Sequence, residues 1–294
     1  MAKKILLIVN PFSGRGISKP SLGIIVSLLC GSGNIVTVAF SEEGDPEGLA
    51  FEYGNQHDML ICVGGDGTLS AVVSGLLLAE ASVPVGYIPA GTVNDFARSL
   101  ALPKNPGEAV KAILEGHPKP LDIGSFQGRY FTYIAAFGIF TGAAYRTSQS
   151  AKRALGHLAY VIGGLADMPA VKPQRMKIEY DGKFIEDEFV FGAVMNSTSV
   201  AGLIKIDPVL VDLSDGMFEV VLVKQPLNLT EFLDILTHIA TNNYTGDNLQ
   251  MLHASKMKFT FEDEVAWTVD GEFGGAHKEV EITNCREAIS ILVN

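Results

Sequence analysis

Three short apolar runs near the start of the chain each stop on a turn built around glycine. Ile5 to Val9 stops on Asn10-Pro11-Phe12-Ser13-Gly14. Met59 to Val63 stops on Gly64-Gly65-Asp66-Gly67-Thr68, and Val83 to Ile88 on Pro89-Ala90-Gly91-Thr92-Val93-Asn94-Asp95. Runs that are apolar at every position fit strands buried on both faces, as in a parallel sheet. Helical patterns separate them: Leu22 to Leu29, Pro46 to Gln56 with Asp45 as N-cap, the stretch from the second turn to about Leu78, Thr92 to Leu100, and Asn105-Pro106 to about Gly116. With Ile35 to Phe40 as a further strand, the first part of the chain reads as an α/β layer structure.

The pattern changes near Asp122. Ser125 to Tyr130 reads as a hairpin leading into Tyr130–Phe137, and a helical stretch with basic residues, Lys152 to Leu165, follows. Arg175–Tyr180 and Phe184–Met195 form a second hairpin around Asp181-Gly182, a strong two-residue turn. Met217–Val223, Lys256–Phe261 and Val265–Val269 are further strands, and Thr230–Asn242 a helix. Strands without intervening helices imply antiparallel pairing. The expected division is therefore residues 1–124 as an α/β domain and 125–285 as a β-rich domain. The apolar end of the chain, about 286–294, can return to the first.

A length of 294 residues fits two domains, and 47% hydrophobic residues supply a sizeable core. The net charge of −11 argues against a nucleic-acid partner and against broad attraction to an anionic membrane. Cys30, Cys62 and Cys285 are odd in number and lack metal-ligand spacing, so free thiols in a reducing, cytoplasmic setting are expected. No run reaches the ~18 apolar residues of a membrane span. The six histidines show no paired spacing. Phe131, Tyr133, Phe137 and Phe140 read as core. The Lys152–Arg153 helix reads as a solvated face or as a membrane contact.

Ligands of open parallel sheets bind at the carboxyl ends of strands, where all three glycine turns lie. Glycine lets the backbone approach a ligand closely, and N–H groups at a helix start favour an anion. Ser13, Thr68 and Thr92 can add hydroxyls, and Asn94 an amide. Three such turns at successive strand ends point to a nucleotide, yet both the Walker-A motif and the dinucleotide glycine fingerprint are missing. Asp66 can face phosphate only with a divalent cation between them; the alternative is that it caps a helix. Asp270-Gly271-Glu272 follows an apolar strand, and either acid could accept a hydroxyl proton, the alternative being a polar hairpin tip. Asp212 and Asp215 read equally as an ordinary acidic turn.

These segments together resemble the diacylglycerol kinase catalytic domain family. Asn10-Pro11, Gly64 to Thr68, Gly91-Thr92-Val93-Asn94-Asp95-Phe96-Ala97, Leu121-Asp122-Ile123-Gly124, Asp212 to Met217 and Val269 to Glu272 fall in the family's order over nearly the whole chain. The resemblance implies an α/β nucleotide domain like that of NAD kinases and phosphofructokinases, followed by a β-sandwich, with ATP and a lipid meeting between them. It places the nucleotide on Asn10, Pro11, Phe12, Ser13, Gly14, the stretch Gly64, Gly65, Asp66, Gly67, Thr68, Leu69, Ser70, Ala71, and on Thr92 and Asn94, with Ser41 as a looser match. It implies catalytic Mg²⁺ near Asp66, Asp122 and Asp270, a structural Mg²⁺ on Asp212, Asp215 and the carbonyl of Met217, and Glu272 as proton acceptor with Asp270 as rival. The expected reaction is phosphoryl transfer to diacylglycerol at a membrane surface, as in phospholipid synthesis, and a homodimer is allowed. Other acceptors (phosphatidylglycerol, a polyprenol, a sphingoid base), an NAD kinase and a non-catalytic lipid-binding protein are the rivals.

Overall fold

The computed structural model of the chain describes residues 2–14, 19–41, 45–138, 172–200 and 204–294. The first unit alternates β1 (Lys4–Val9), α1 (Lys19–Gly31), β2 (Ile35–Phe40), α2 (Pro46–Tyr53), β3 (Met59–Gly64), α3 (Asp66–Leu78), β4 (Val85–Pro89), α4 (Asp95–Ser99) and α5 (Pro106–Glu115). Its strands pair in parallel in the order β2-β1-β3-β4. The order reverses direction between β1 and β3, so a crevice opens beyond their carboxyl ends. Side-chain alternation feeds two cores. Ile5, Leu7 and Val9 pack with Ile25, Leu29, Val110 and Ile113, while Leu6 and Ile8 pack with Ala50, Val72 and Leu76. Asp45 accepts from the N–H of Gly48 at 2.7 Å as the cap of α2, and Asn105 caps α5 through Gly107 and Glu108. The helix expected from Thr92 starts only at Asp95. Asn94 is held in a left-handed conformation (φ 56°), its amide bonded to Gly91.

The second unit contains β5 (His117–Phe126), β6 (Arg129–Phe131), β7 (Ile134–Gly138), β8 (Gln174–Tyr180), β9 (Lys183–Phe189), β10 (Phe191–Met195), β11 (Ser199–Val200), β12 (Ile204–Lys205), β13 (Phe218–Val223), α6 (Leu229–Ala240), β14 (Leu249–Ala254), β15 (Lys256–Val269) and β16 (Glu272–Val293). The Asp181-Gly182 turn joins β8 to β9 with both residues at positive φ. The two segments read between Lys256 and Val269 are one strand with a register shift, and the Phe184–Met195 run divides at Val190 into two strands with different partners. The expected strand Tyr130–Phe137 is interrupted at Thr132–Tyr133, where the backbone turns its N–H groups to a side chain described below. The Lys152–Leu165 helix lies outside the described residues, as does Phe140. A core of Phe126, Phe137, Phe259 and Phe261 surrounds the fully buried Trp267.

The two units share a sheet. Among the described residues, one 14-stranded sheet runs β14-β13-β10-β7-β15-β16-β4-β3-β1-β2, with β5, β6, β8 and β9 branching from it. β16 makes this possible. It pairs antiparallel with β15 through Glu272–Thr283, then antiparallel with β5, and its end lies parallel to β4 with Ile291 opposite Val85. A core around Leu6, Val72, Tyr133, Met195 and Leu213 is continuous across the junction. No helix among the described residues is long and apolar enough to cross a membrane.

Candidate active site

The three glycine turns converge. The Asn10 amide donates to Thr68 Oγ1 at 3.0 Å, the Ser13 hydroxyl lies 3.2 Å from the same oxygen, and Gly65 N donates to Ser13 Oγ at 3.2 Å. Ala90 N donates to the Gly64 carbonyl at 2.7 Å. A methyl group on Gly91 would stand 2.6 Å from Gly65 Cα, and one on Gly14, which sits at φ +59°, would stand 2.5 Å from the Ala90 carbonyl oxygen. Backbone therefore packs on backbone at the mouth of the β1/β3 crevice, and only glycine allows it.

Asp66 opens α3 but does not cap it. Its carboxylate reaches thirty residues along the chain, Oδ2 accepting from Asp95 N at 2.9 Å and Oδ1 from Phe96 N at 3.3 Å. It thereby clasps the second turn to the first turn of α4. Burial pushes the Asp66 carboxyl up to about 6, opposed by those two N–H groups and assisted by the charges of Asp95 and Asp270. Asp95 itself is 1% exposed, with Arg98 at 3.8 Å.

Asp270 is buried at the tip joining β15 to β16, in a left-handed conformation (φ 47°). Its Oδ2 accepts from Thr132 N (2.6 Å) and Thr132 Oγ1 (2.9 Å), and its Oδ1 from Tyr133 N and Ile134 N (both 3.0 Å). Burial still holds the carboxyl above its ordinary value. Its lone pairs are filled, so its geometry is that of a latch holding the tip. Glu272, two residues on, is exposed. The Tyr133 hydroxyl stands among Asp270, Asp66, Asp95 and Glu272, and burial first, then those four carboxylates, push it well above the ordinary phenol value.

The other expected residues are spread more widely. Thr92, Phe12 and Gly67 are exposed at the mouth, Pro11, Asn94 and Ala71 half-buried, and Leu69 is fully buried in the core. Ser41 is buried at the end of β2 and its hydroxyl turns to the Val9 carbonyl. Asp122 does not join the Asp66 group. Its carboxylate accepts from Gly216 N (2.6 Å), Asn284 Nδ2 (3.1 Å) and Glu287 N (2.8 Å), which puts it beneath the Asp212–Met217 loop. In that loop Asp212 Oδ1 accepts from Ser214, and Asp215 Oδ1 from Met217 N at 2.8 Å. No group of three His, Cys, Asp or Glu among the described residues forms a ready metal site. Two carboxylates and a carbonyl on one loop are nevertheless hard oxygen donors of the kind Mg²⁺ takes with water.

Sequence reasoning passed over Asp95, Tyr133 and Thr132. Asp95 carried a signal, an acid ending a glycine turn at a helix start. Tyr133 and Thr132 carried none, since their part is set by Asp270 far along the chain.

The family model of the diacylglycerol kinase catalytic domain matches residues 4–126, and that of a C-terminal NAD kinase β-sandwich-like domain matches 135–292. A diacylglycerol kinase of Bacillus subtilis (strain 168) is 34% identical over 277 residues, 93% of this chain and 91% of that protein. One of Staphylococcus carnosus (strain TM300) is 34% identical over 282 residues, 94% of this chain and 90% of its own. The crystal structure of a diacylglycerol kinase from Bacillus anthracis str. Sterne superposes with a TM-score of 0.82 at 28% identity, covering 99% of this chain and 97% of that one. The crevice with its converging glycine turns and its rim of carboxylates is thus found in a chain that belongs to the diacylglycerol kinase catalytic domain family, a family of lipid kinases.

Proposed function

We propose that this lipid kinase transfers the γ-phosphoryl group of ATP to the free hydroxyl of diacylglycerol, giving phosphatidic acid. The observation that carries this reading is the close packing of Gly14, Gly65 and Gly91, which gathers the glycine turns at the start of α3, where helix-start N–H groups favour phosphate. Residues 1–124 with the strand at 286–294 form the nucleotide half, and 125–285 the lipid half. Asn10 to Gly14, Gly64 to Ser70 and Thr92 face the nucleotide; Leu69 contributes packing and Ser41 only a supporting contact. Asp66, with Asp95 beside it, would hold Mg²⁺ at the phosphates, which neutralises charge on the transferring group. Glu272 takes the proton of the lipid hydroxyl. Its exposure at the cleft leaves it free for that task, whereas Asp270 is committed to the latch and positions Glu272. Asp212, Asp215 and the Met217 carbonyl would hold a second Mg²⁺, and Asp122 ties that loop to β5 and β16. The enzyme acts from the cytoplasm at the membrane surface, where its acceptor resides.

The test is transfer of radiolabel from [γ-³²P]ATP with Mg²⁺ to diacylglycerol, phosphatidylglycerol, a polyprenol, sphingosine and NAD offered separately. Label in phosphatidic acid alone supports the reading. Label in another acceptor, with diacylglycerol inert, replaces the substrate, and label in NAD overturns the lipid assignment.

A further inference from the structure

We propose that Glu219 is the inner anchor of the cation assigned above to the Asp212–Met217 loop, its Oε2 accepting from water bound to that ion. The inference rests on that metal reading and adds to it a residue from β13. Glu219 stands in an otherwise apolar strand, flanked by Met195 of β10 and His253 of β14, and only 1% of it is exposed. It lies within electrostatic reach of Asp215, Asp212 and Asp122. Its Oε1 is 3.8 Å from His253 Nε2, and its Oε2 has no hydrogen-bond partner.

Glu219 does not stand alone. Buried side-chain oxygens without a partner also occur at Asn196 Oδ1 and Asn284 Oδ1, and both residues are fastened to the same loop. Asn196 Nδ2 donates to the carbonyls of Asp122 (2.7 Å) and Leu213 (3.4 Å), and Asn284 Nδ2 donates to Asp122 Oδ2 (3.1 Å) and the Met217 carbonyl (3.3 Å). Turning either amide over would set oxygen against oxygen, so these bonds fix Oδ1 as the atom left over. Three acceptors thus remain around one loop. Buried acceptors need donors, and a buried carboxylate needs a counter-charge. The nearby protein groups do not supply the donors: His253 Nε2, 3.8 Å from Glu219 Oε1, is at ion-pair range but beyond hydrogen-bond distance and leaves Oε2 bare, and Arg286 lies with its methylenes over Gly216 and forms no ion pair among the described residues. A hydrated divalent ion supplies both at once, its charge facing the carboxylates and its coordinated waters donating to the oxygens.

The experiment uses the full chain without ATP or lipid, so the readout is independent of turnover. Thermal unfolding is followed in metal-free buffer and through a MgCl₂ titration for the wild type, Glu219→Gln and Asp215→Ala. The wild-type Tm is expected to rise saturably with Mg²⁺, and Asp215→Ala to lose that rise. Glu219→Gln is expected to keep a metal-free Tm at or above wild type, because an uncompensated buried carboxyl is gone, while its half-saturating Mg²⁺ concentration rises at least about tenfold. Wild-type half-saturation in Glu219→Gln, with the response lost in Asp215→Ala, overturns the Glu219 inference and leaves the metal reading standing. A wild-type Tm indifferent to Mg²⁺, or a full response in Asp215→Ala, overturns the metal reading itself.

Discussion

Asp270→Asn separates a latch from a base. The carboxylate receives two donors on each oxygen, at 2.6 and 2.9 Å on Oδ2 and at 3.0 and 3.0 Å on Oδ1. An amide has one acceptor oxygen. Its best placement keeps Tyr133 N and Ile134 N on Oδ1 and turns Nδ2 toward Thr132, where the hydroxyl can rotate to accept but the backbone N–H cannot. One buried N–H is then orphaned, at about 1–3 kcal/mol, and two remaining bonds lose charge assistance, at about 1 kcal/mol each. Relief of burying a charge offsets part of this, since burial holds the Asp270 carboxyl above its ordinary value. The net expectation is a loss of about 2–4 kcal/mol, or roughly 3–6 °C in Tm for a chain of this size. The assay is thermal unfolding of Asp270→Asn beside Glu272→Gln, whose exposed side chain should contribute within about 0.5 kcal/mol. Both variants should lose turnover, but only Asp270→Asn should lose stability. An Asp270→Asn protein that melts with the wild type would refute the latch, and one that does so while losing turnover would make Asp270 the base.

Glu272→Gln should lower kcat by about 10²–10⁴ with the KM for MgATP unchanged, measured by steady-state kinetics; a large KM effect with normal kcat would move Glu272 into nucleotide binding. Gly91→Ala must move backbone apart, because its methyl would stand 2.6 Å from Gly65 Cα, so equilibrium binding of an ATP analogue should weaken at least about tenfold. For Asp66, the folded carboxyl lies near 6, above its ordinary 3.8, so the folded state keeps a proton that the unfolded state has lost. Metal-free wild type should therefore lose stability relative to Asp66→Asn as pH rises from about 4 to 6, with no further change above. Parallel Tm-versus-pH curves for the two proteins would contradict this.

The legible part of the fold was whatever is written in nearest-neighbour chemistry. β1, β3, β4 and their turns were plain because each position is apolar up to a glycine. The Asp45 and Asn105 caps were plain because donor and acceptor lie within three residues. What stayed hidden is set by distant partners. Asp66 reads from sequence as a metal holder, with a cap for its own helix as the alternative; its clasp on α4 is invisible there, because Asp95 N and Phe96 N come within reach only when β3 and β4 pair. The break at Thr132 is invisible without Asp270, and Asp122 parts from Asp66 because Gly216, Asn284 and Glu287 claim it first. β5 was missed over His117–Leu121, where Pro118 and Pro120 argue against a strand. They fit because β16 lies on one side of that segment and no described strand on the other.

The long β16 strand also has a bearing on how such a chain comes into being. Until it is made, β4 has β3 on one side and an open apolar edge on the other, and β15 lacks the partner it meets over most of its length. Neither half can close while the chain emerges in order, because the strand that separates and joins them is synthesised after every other described strand. Folding should therefore be late and cooperative, dominated by contacts of large sequence separation, with both sheet edges exposed to aggregation in the interval. The price of building one sheet across two functional halves is that neither half can be finished first.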